Sequence, residues 1–430
     1  MNDIRRQALP LRHPSDLDPL LDRIGDARYV LLGEASHGTA EYYDWRAELT
    51  LRLVREKGFS FVGVEGDWPD CYEVNASVTL APDAPDDPRD ALHDFERWPT
   101  WMWANEQVVR FTRRLREHNA GLPDEHRVGF YGLDVYSLWD SLRETVDYLR
   151  QNEPAHVETA LQAVRCFEPY REDAESYAWS TTLVPTGCEA EVVGLLSEVR
   201  QAADRGGGRD RDALFNAEQN ARAVRGAEAY YRAMIRGGPD SWNIRDRHMV
   251  ETLDELMEHH GPDAKAIVWE HNTHIGDARY TDMARAGMVN VGQLVRERHG
   301  DEGVVAVGFG GYRGSVIASP RWGGRIERMP LPDARTGSVE SLLHRALAPD
   351  LDAALFVFGD EPPAWSLEER GHRAVGVVYS PEREALGNYV PTVLGRRYDA
   401  FCWFDRTEAL TPLHGVHPDT REPEGWPFGE

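Results

Sequence analysis

Residues 29–39 read YVLLGEASHGT: an apolar run, a glycine, then Glu34 and His37. Tyr29 to Gly33 is short, apolar and followed at once by polar residues, as expected of a strand buried on both faces of a sheet. From Ala40 to Glu56 the apolar residues Tyr42, Trp45, Leu49 and Leu53 recur at spacings of three and four, which predicts an amphipathic helix after the strand. Similar apolar runs return at Phe59–Val64, Val128–Leu133, Ala266–Trp269, Val304–Phe309, Ala353–Phe358 and Ala374–Tyr379. Longer amphipathic stretches separate the earlier ones, the pattern of parallel strand–helix–strand units in an α/β fold. Ser137 is placed to cap a helix running to about Gln151 through Leu138, Leu142, Val146 and Leu149.

Between about Glu153 and Gly261 the periodicity turns helical throughout, which predicts a helical insertion. Ser241 is read as the cap of its last helix, through Met249, Leu253 and Leu256. RGGGRD at 205–210 reads as a flexible connection, and APDAPDDPRD at 81–90 as a surface loop. GFGGYRGSVIAS, PRWGG and RIERMP predict a hairpin leaving the parallel sheet.

The whole chain has 430 residues, 41% hydrophobic and 28% charged, with 13 Trp, 16 Tyr and 13 Phe, enough to bury a sizeable core and exclude wholesale disorder. Its net charge of -25 repels phosphate backbones and anionic lipid, so nucleic-acid and membrane partners are disfavoured. All but two of the 48 basic residues are Arg, the exceptions being Lys57 and Lys265. That skew runs along the whole chain and reads as coding bias. The N-terminus lacks the apolar core of a signal peptide, and no window reaches the ~20 apolar residues of a membrane span, so a soluble, cytoplasmic protein is expected. Cys71, Cys166, Cys188 and Cys402 lack CxxC spacing and are expected to be structural thiols in a reduced compartment.

The residues just past each strand predict the chemistry. Glu34 and His37 come after the first, Glu65 and Asp67 after the second, Asp134 after the third, Glu270, His271 and His274 after the fourth, and Tyr312 and Arg313 after the fifth. In an open parallel sheet the carboxyl ends of the strands share one edge, so these segments converge on one cleft. Taken singly, Asp67 and Asp134 read as helix caps, and His259, His260, His299, His372, His414 and His417 as ordinary satisfied or exposed residues. Alternation along the strand sends Glu270 to the face opposite His271.

A serine elbow is excluded, because Ser36 stands three residues after Gly33 where G-x-S-x-G is required. GFGGYRG fails as a dinucleotide fingerprint because Arg313 replaces its last glycine. What remains is acid–base chemistry on water, with His37 as base beside Glu34 or Glu65, and with His271, His274 and Arg46 to meet negative charge.

At these residues the chain resembles the erythromycin esterase family. The resemblance rests on GEASHGT, YYDWR, VGVEGDW, RWPTWMWANEQ, FYGLDVYS, WNIRDRHM and WEHNTHIGD, in order over about residues 14–410. It implies a three-layer α/β/α core with a mainly parallel sheet and a large helical insertion. Residues 14–152 and 262–410 would form the core, 153–261 an insertion covering the cleft, and 411–430 a tail. It further implies hydrolysis of a carboxylic or macrolide lactone ester by histidine-activated water, with no metal and no cofactor, and a place in antibiotic resistance. His37 is then the base, Glu34 and Glu65 its supporting carboxylates, Arg46 a site arginine, and His271 and His274 the paired histidines.

Substrate contacts are expected from Trp98, Trp101, Trp103, Asp134, Arg245 and Tyr312, the tryptophans supplying apolar area, with at least one of the three read instead as ordinary helix packing. Arg245 reads equally well as a structural partner of Asp246 or a neighbouring acid. The partner is a small ester or lactone, and the oligomeric state is left open. Two other classes use the same residues: a metal-dependent hydrolase with His37, His271, His274 and a carboxylate as ligands, and a haem- or ligand-binding protein with axial histidines.

Overall fold

The computed structural model describes residues 1–170, 174–183, 187–205, 211–348 and 350–414. Nearly all of the RGGGRD stretch, and residues 415–430 with His417 among them, lie outside the described residues. In chain order the strands are β1 (Leu9–Pro10), β2 (Tyr29–Leu32), β3 (Phe61–Val64), β4 (Gly129–Gly132), β5 (Ala266–Trp269), β6 (Val304–Ala318), β7 (Glu327–Leu331), β8 (Ala353–Val357), β9 (Glu369–Arg373), β10 (Tyr389–Val393) and β11 (Ala400–Thr407). The main sheet runs β1-β8-β11-β6-β2-β5-β3-β4, with β7 against β6. From β11 to β4 every pairing is parallel, while β8, β1 and β7 join antiparallel.

Alternation along the strands divides the interior into two layers. Val30, Leu32, Val62, Val64, Ile267 and Trp269 face a core shared with Leu49 and Leu53 of helix Ala40–Lys57 and with Phe111 and Leu115 of helix Glu106–Asn119. Tyr29, Leu31, Phe61, Ala266 and Val268 face the other, shared with Leu253 and Leu256 of helix Asp240–His260 and with Val291 and Val295 of helix Val291–His299. The result is the three-layer α/β/α core with a mainly parallel sheet that the resemblance implied.

The described residues from Glu153 to Gly261 contain helices and no strand. Helices Leu138–Asn152, Val157–Phe167, Glu189–Arg205 and Arg211–Met234 share a core of their own around Leu142, Phe167, Leu195 and Tyr231. Helix Asp240–His260 instead packs Met249, Leu253 and Leu256 against the sheet.

The hairpin is present as β6 and β7. Other expectations require correction. Ala374–Tyr379 forms no ladder: its backbone pairs singly, Val375 N–H with Ala35 O and Tyr379 N–H with Ser319 O, so it is an extended strap across loop ends. The unanticipated β11 takes a central place, inserted between β6 and β8. Strand β6 continues far past Phe309, which carries Tyr312 and Arg313 along the strand and away from its expected end. Ser137 occupies its cap position but its hydroxyl meets Ser141, and Ser241 lies inside a helix whose cap position is Pro239. Cys166 and Cys188 are joined in a disulfide, with Cα atoms 5.9 Å apart, because two helices fold back on one another; Cys71 and Cys402 are free and buried. Among the described residues no helix is long and apolar enough to cross a membrane.

Candidate active site

The turn after β2 carries Glu34 and His37 into a layer where both are buried. His37 Nδ1 lies 2.8 Å from Glu34 Oε1, and Arg46 Nη2 donates to Glu34 Oε2 at 2.6 Å. Arg46 reaches this point from the first helix turns after the loop, fully buried and packed over the rings of Tyr43 and Trp269. It is no solvated helix residue. Tyr43 Oη–H donates to the His37 carbonyl at 3.0 Å, fixing the loop from beneath.

Glu65, at the end of β3, lies opposite. Its Oε2 accepts the His271 backbone N–H at 2.8 Å, and its Oε1 accepts Arg245 Nη2 at 2.7 Å. Arg245 also clasps Asp134, at the end of β4, with Nε at 2.8 Å and Nη2 at 2.6 Å. The arginine therefore pairs with Glu65 and Asp134 rather than with its chain neighbour Asp246. Asp246 instead meets His274, Oδ1 to Nδ1 at 3.0 Å, and Trp242 stacks on the same imidazole at 4.5 Å. His271 caps the short helix Asn272–Ile275, its Nδ1 2.8 Å from Thr273 Oγ1, with its ring 4.9 Å from that of His37.

Burial weakens every charge here, and the neighbours decide the outcome. Burial opposes protonation of His37, but Glu65 and Glu34 outweigh it and hold its pKa above the ordinary value. Burial and the adjacent His37 push His271 well below its ordinary value, so it is neutral. Burial would raise Glu65, yet His274, His37 and Arg245 hold it far down. Asp134 is likewise lowered, burial being overcome by Arg245. Burial raises Asp246 against the pull of His274. Glu270 is fully buried with no partner among the described residues on either oxygen, and burial, then Glu65 and Asp246, drive it far up, so it stays protonated.

These side chains head a cavity of about 320 Å³. His37, Glu65, Asp134, Arg245, His271 and His274 line it together with Trp103, Met102, Tyr136, Tyr230, Trp242 and Trp322. Ala374, Gly376 and Val377 of the strap complete one wall. Glu34 and Arg46 sit behind His37. Trp98 and Trp101 do not reach the cavity: they pack on each other in the core, Trp98 also against Trp322. Tyr312 lies outside it too, stacked on His344.

Sequence reasoning missed Trp242 and gave Asp246 no role with His274, although Trp242, Arg245 and Asp246 share one helix face by their i, i+3, i+4 spacing. It also missed Asp70, which faces the cavity and is pushed up to about 8 by enclosure and by Asp67. Asp67 stands at a helix cap position without capping and pairs with Arg97. Among the described residues no group of three or more His, Cys, Asp or Glu is arranged to hold a metal ion.

Buried acid–histidine pairs thus stand at the carboxyl edge of a mainly parallel sheet in an α/β/α fold, above a largely apolar cavity. The erythromycin esterase family model matches residues 54–407, and the chain belongs to that family. Glu34, His37 and Arg46 precede the matched residues. The erythromycin esterase type II of Escherichia coli is 21% identical over 369 residues, spanning 77% of this chain and 83% of that protein. Among solved structures, a succinoglycan biosynthesis protein is 20% identical with a TM-score of 0.76, over 96% of this chain and 97% of that one. A Bacillus cereus protein is 19% identical with a TM-score of 0.79, over 96% and 99%. A mutant of the erythromycin esterase EreC in its open conformation is 18% identical with a TM-score of 0.67, over 94% and 97%. These structural likenesses speak for the fold.

Proposed function

We propose that this chain hydrolyses a carboxylic ester, with macrolide lactones as the narrow reading, through a water molecule activated by His37 and without a metal. The observation that carries this is the buried relay Arg46–Glu34–His37 at the head of an apolar cavity. Water attacks the ester carbonyl carbon as His37 Nε2 takes its proton; collapse of the tetrahedral intermediate then breaks the acyl C–O bond, and the departing alcohol oxygen takes that proton back from His37. Glu34 holds Nδ1 and faces the imidazolium, and Arg46 holds Glu34 in place. His271, held neutral, faces the same space as a hydrogen-bond donor for the oxyanion. Trp103, Met102 and Trp242 supply apolar contact, and the helical stretch 153–261 acts as an insertion walling the cleft.

A panel of macrolides and simple esters read by product mass tests this directly: gain of one water is expected, and no gain with any ester overturns it. His37→Ala should lower kcat by about two to four orders of magnitude with an unchanged melting temperature. Activity should survive exhaustive chelation, and a requirement for stoichiometric zinc would overturn the metal-free step.

A further inference from the structure

The site contains a second buried carboxylate–histidine pair that the proposed mechanism does not use. Asp246 is wholly buried, and one oxygen, Oδ1, serves two partners: the Val291 backbone N–H at 3.0 Å and His274 Nδ1 at 3.0 Å. A backbone N–H donates only, so Oδ1 is committed as an acceptor. The other oxygen, Oδ2, has no hydrogen-bond partner among the described residues, and any proton the carboxyl carries sits there. In either state Oδ1 accepts from the ring, so Nδ1 must bear hydrogen.

We propose that Asp246 is a positioning residue for His274: whenever the ring is neutral it takes the Nδ1–H form, leaving Nε2 bare at the cavity wall. Nε2 then lies 3.3 Å from Arg245 Nη1, which donates to it, and 3.5 Å from Glu65 Oε1. Trp242 stacks nearly parallel to the ring, at 6°, and prevents it from turning. One turn of helix Asp240–His260 thus supplies stack, guanidinium and orienting carboxylate to a histidine on a different segment. The consequence for turnover rests on the ester-hydrolase reading above; the tautomer does not.

Selective 15N-histidine labelling of the full chain tests the tautomer, with His274→Gln to assign the signal. Long-range 1H–15N correlations of neutral His274 should show Nδ1 protonated and Nε2 bare. In Asp246→Asn the Val291 N–H keeps the amide oxygen toward the ring, so the tautomer should persist. In Asp246→Ala the ring loses its acceptor and should change to Nε2–H. On the same esters kcat should fall about ten- to a hundredfold in the Ala variant, less in the Asn variant, with KM nearly unchanged. An Nε2–H ring in the unaltered protein, or an Nδ1–H ring that survives Asp246→Ala, overturns the proposal. Should the Ala variant not fold, the unaltered and Asn spectra still decide. Absence of activity on every ester would remove the hydrolase reading and leave the tautomer result standing.

Discussion

His37 and His271 stand ring to ring; burial lowers the proton affinity of both, and their different neighbours, carboxylates raising His37 and His37 itself lowering His271, drive the two apart. Such divergence is how paired groups divide into a base and a neutral donor. Because the base must be unprotonated, kcat/KM is expected to rise with pH through a value above the ordinary 6.5 of imidazole, then level off. Glu34→Gln removes a carboxylate that raises it, so the inflection should move down; a pH–rate series on both proteins checks the direction. Arg245 compensates two buried carboxylates, Glu65 and Asp134. Both have folded pKa values below their unfolded ones, so their contribution is complete above the ordinary carboxylate range and is lost as pH falls through the folded values. Arg245→Met strands both charges and should cost about 3–5 kcal/mol at neutral pH by denaturant titration. The positions of His37, Glu65, Asp134, His271 and His274 at the cavity head, and of Glu34 behind His37, were legible because each comes just after an apolar run at the strand edge, whereas Asp70 and Asp246, inside helices, carry no such mark. Trp98, Trp101 and Tyr312 were not, since composition does not say which way an aromatic ring faces.

At the scale of elements, the loop after β2 is held by backbone as much as by side chains. The Gly38 carbonyl accepts N–H groups from both Ile317 and Leu410, and a Cβ at Gly38 would overlap the Ile317 carbonyl. Gly38→Ala should therefore displace the loop, lowering kcat more than tenfold and the melting temperature together, whereas a surface glycine changed likewise should alter neither. Strands β2 to β6 and β8 were legible from their apolar runs alone. Strand β11 is equally apolar over Ala400–Phe404, but its place between β6 and β8 depends on pairings distant in sequence. The strap at Ala374–Tyr379 deceives in the other direction. Val375, Val377 and Tyr379 alternate inward as in a strand, yet their backbone partners are loop residues, and local pattern carries no information about partners.

Over the whole molecule, the helices between Leu138 and Met234 keep their own core, pinned by Cys166–Cys188 across 22 residues. Closing a loop of that length is worth about 3 kcal/mol, so Cys166→Ser with Cys188→Ser should lower stability by that order in denaturant titration while His37 chemistry continues. Spacing could not disclose this pair, because only the packing of two helices brings the cysteines together. The strap has a consequence for how such a fold changes its diet. Gly376 lines the cavity, and an added Cβ there meets no atom within 4 Å. A lineage can thus trim the volume admitted to the chemistry by substituting one position that holds neither acid nor histidine. Gly376→Val should lower kcat/KM for bulky rings while sparing small acyl esters, a ratio that paired kinetics on the two substrate sizes would measure.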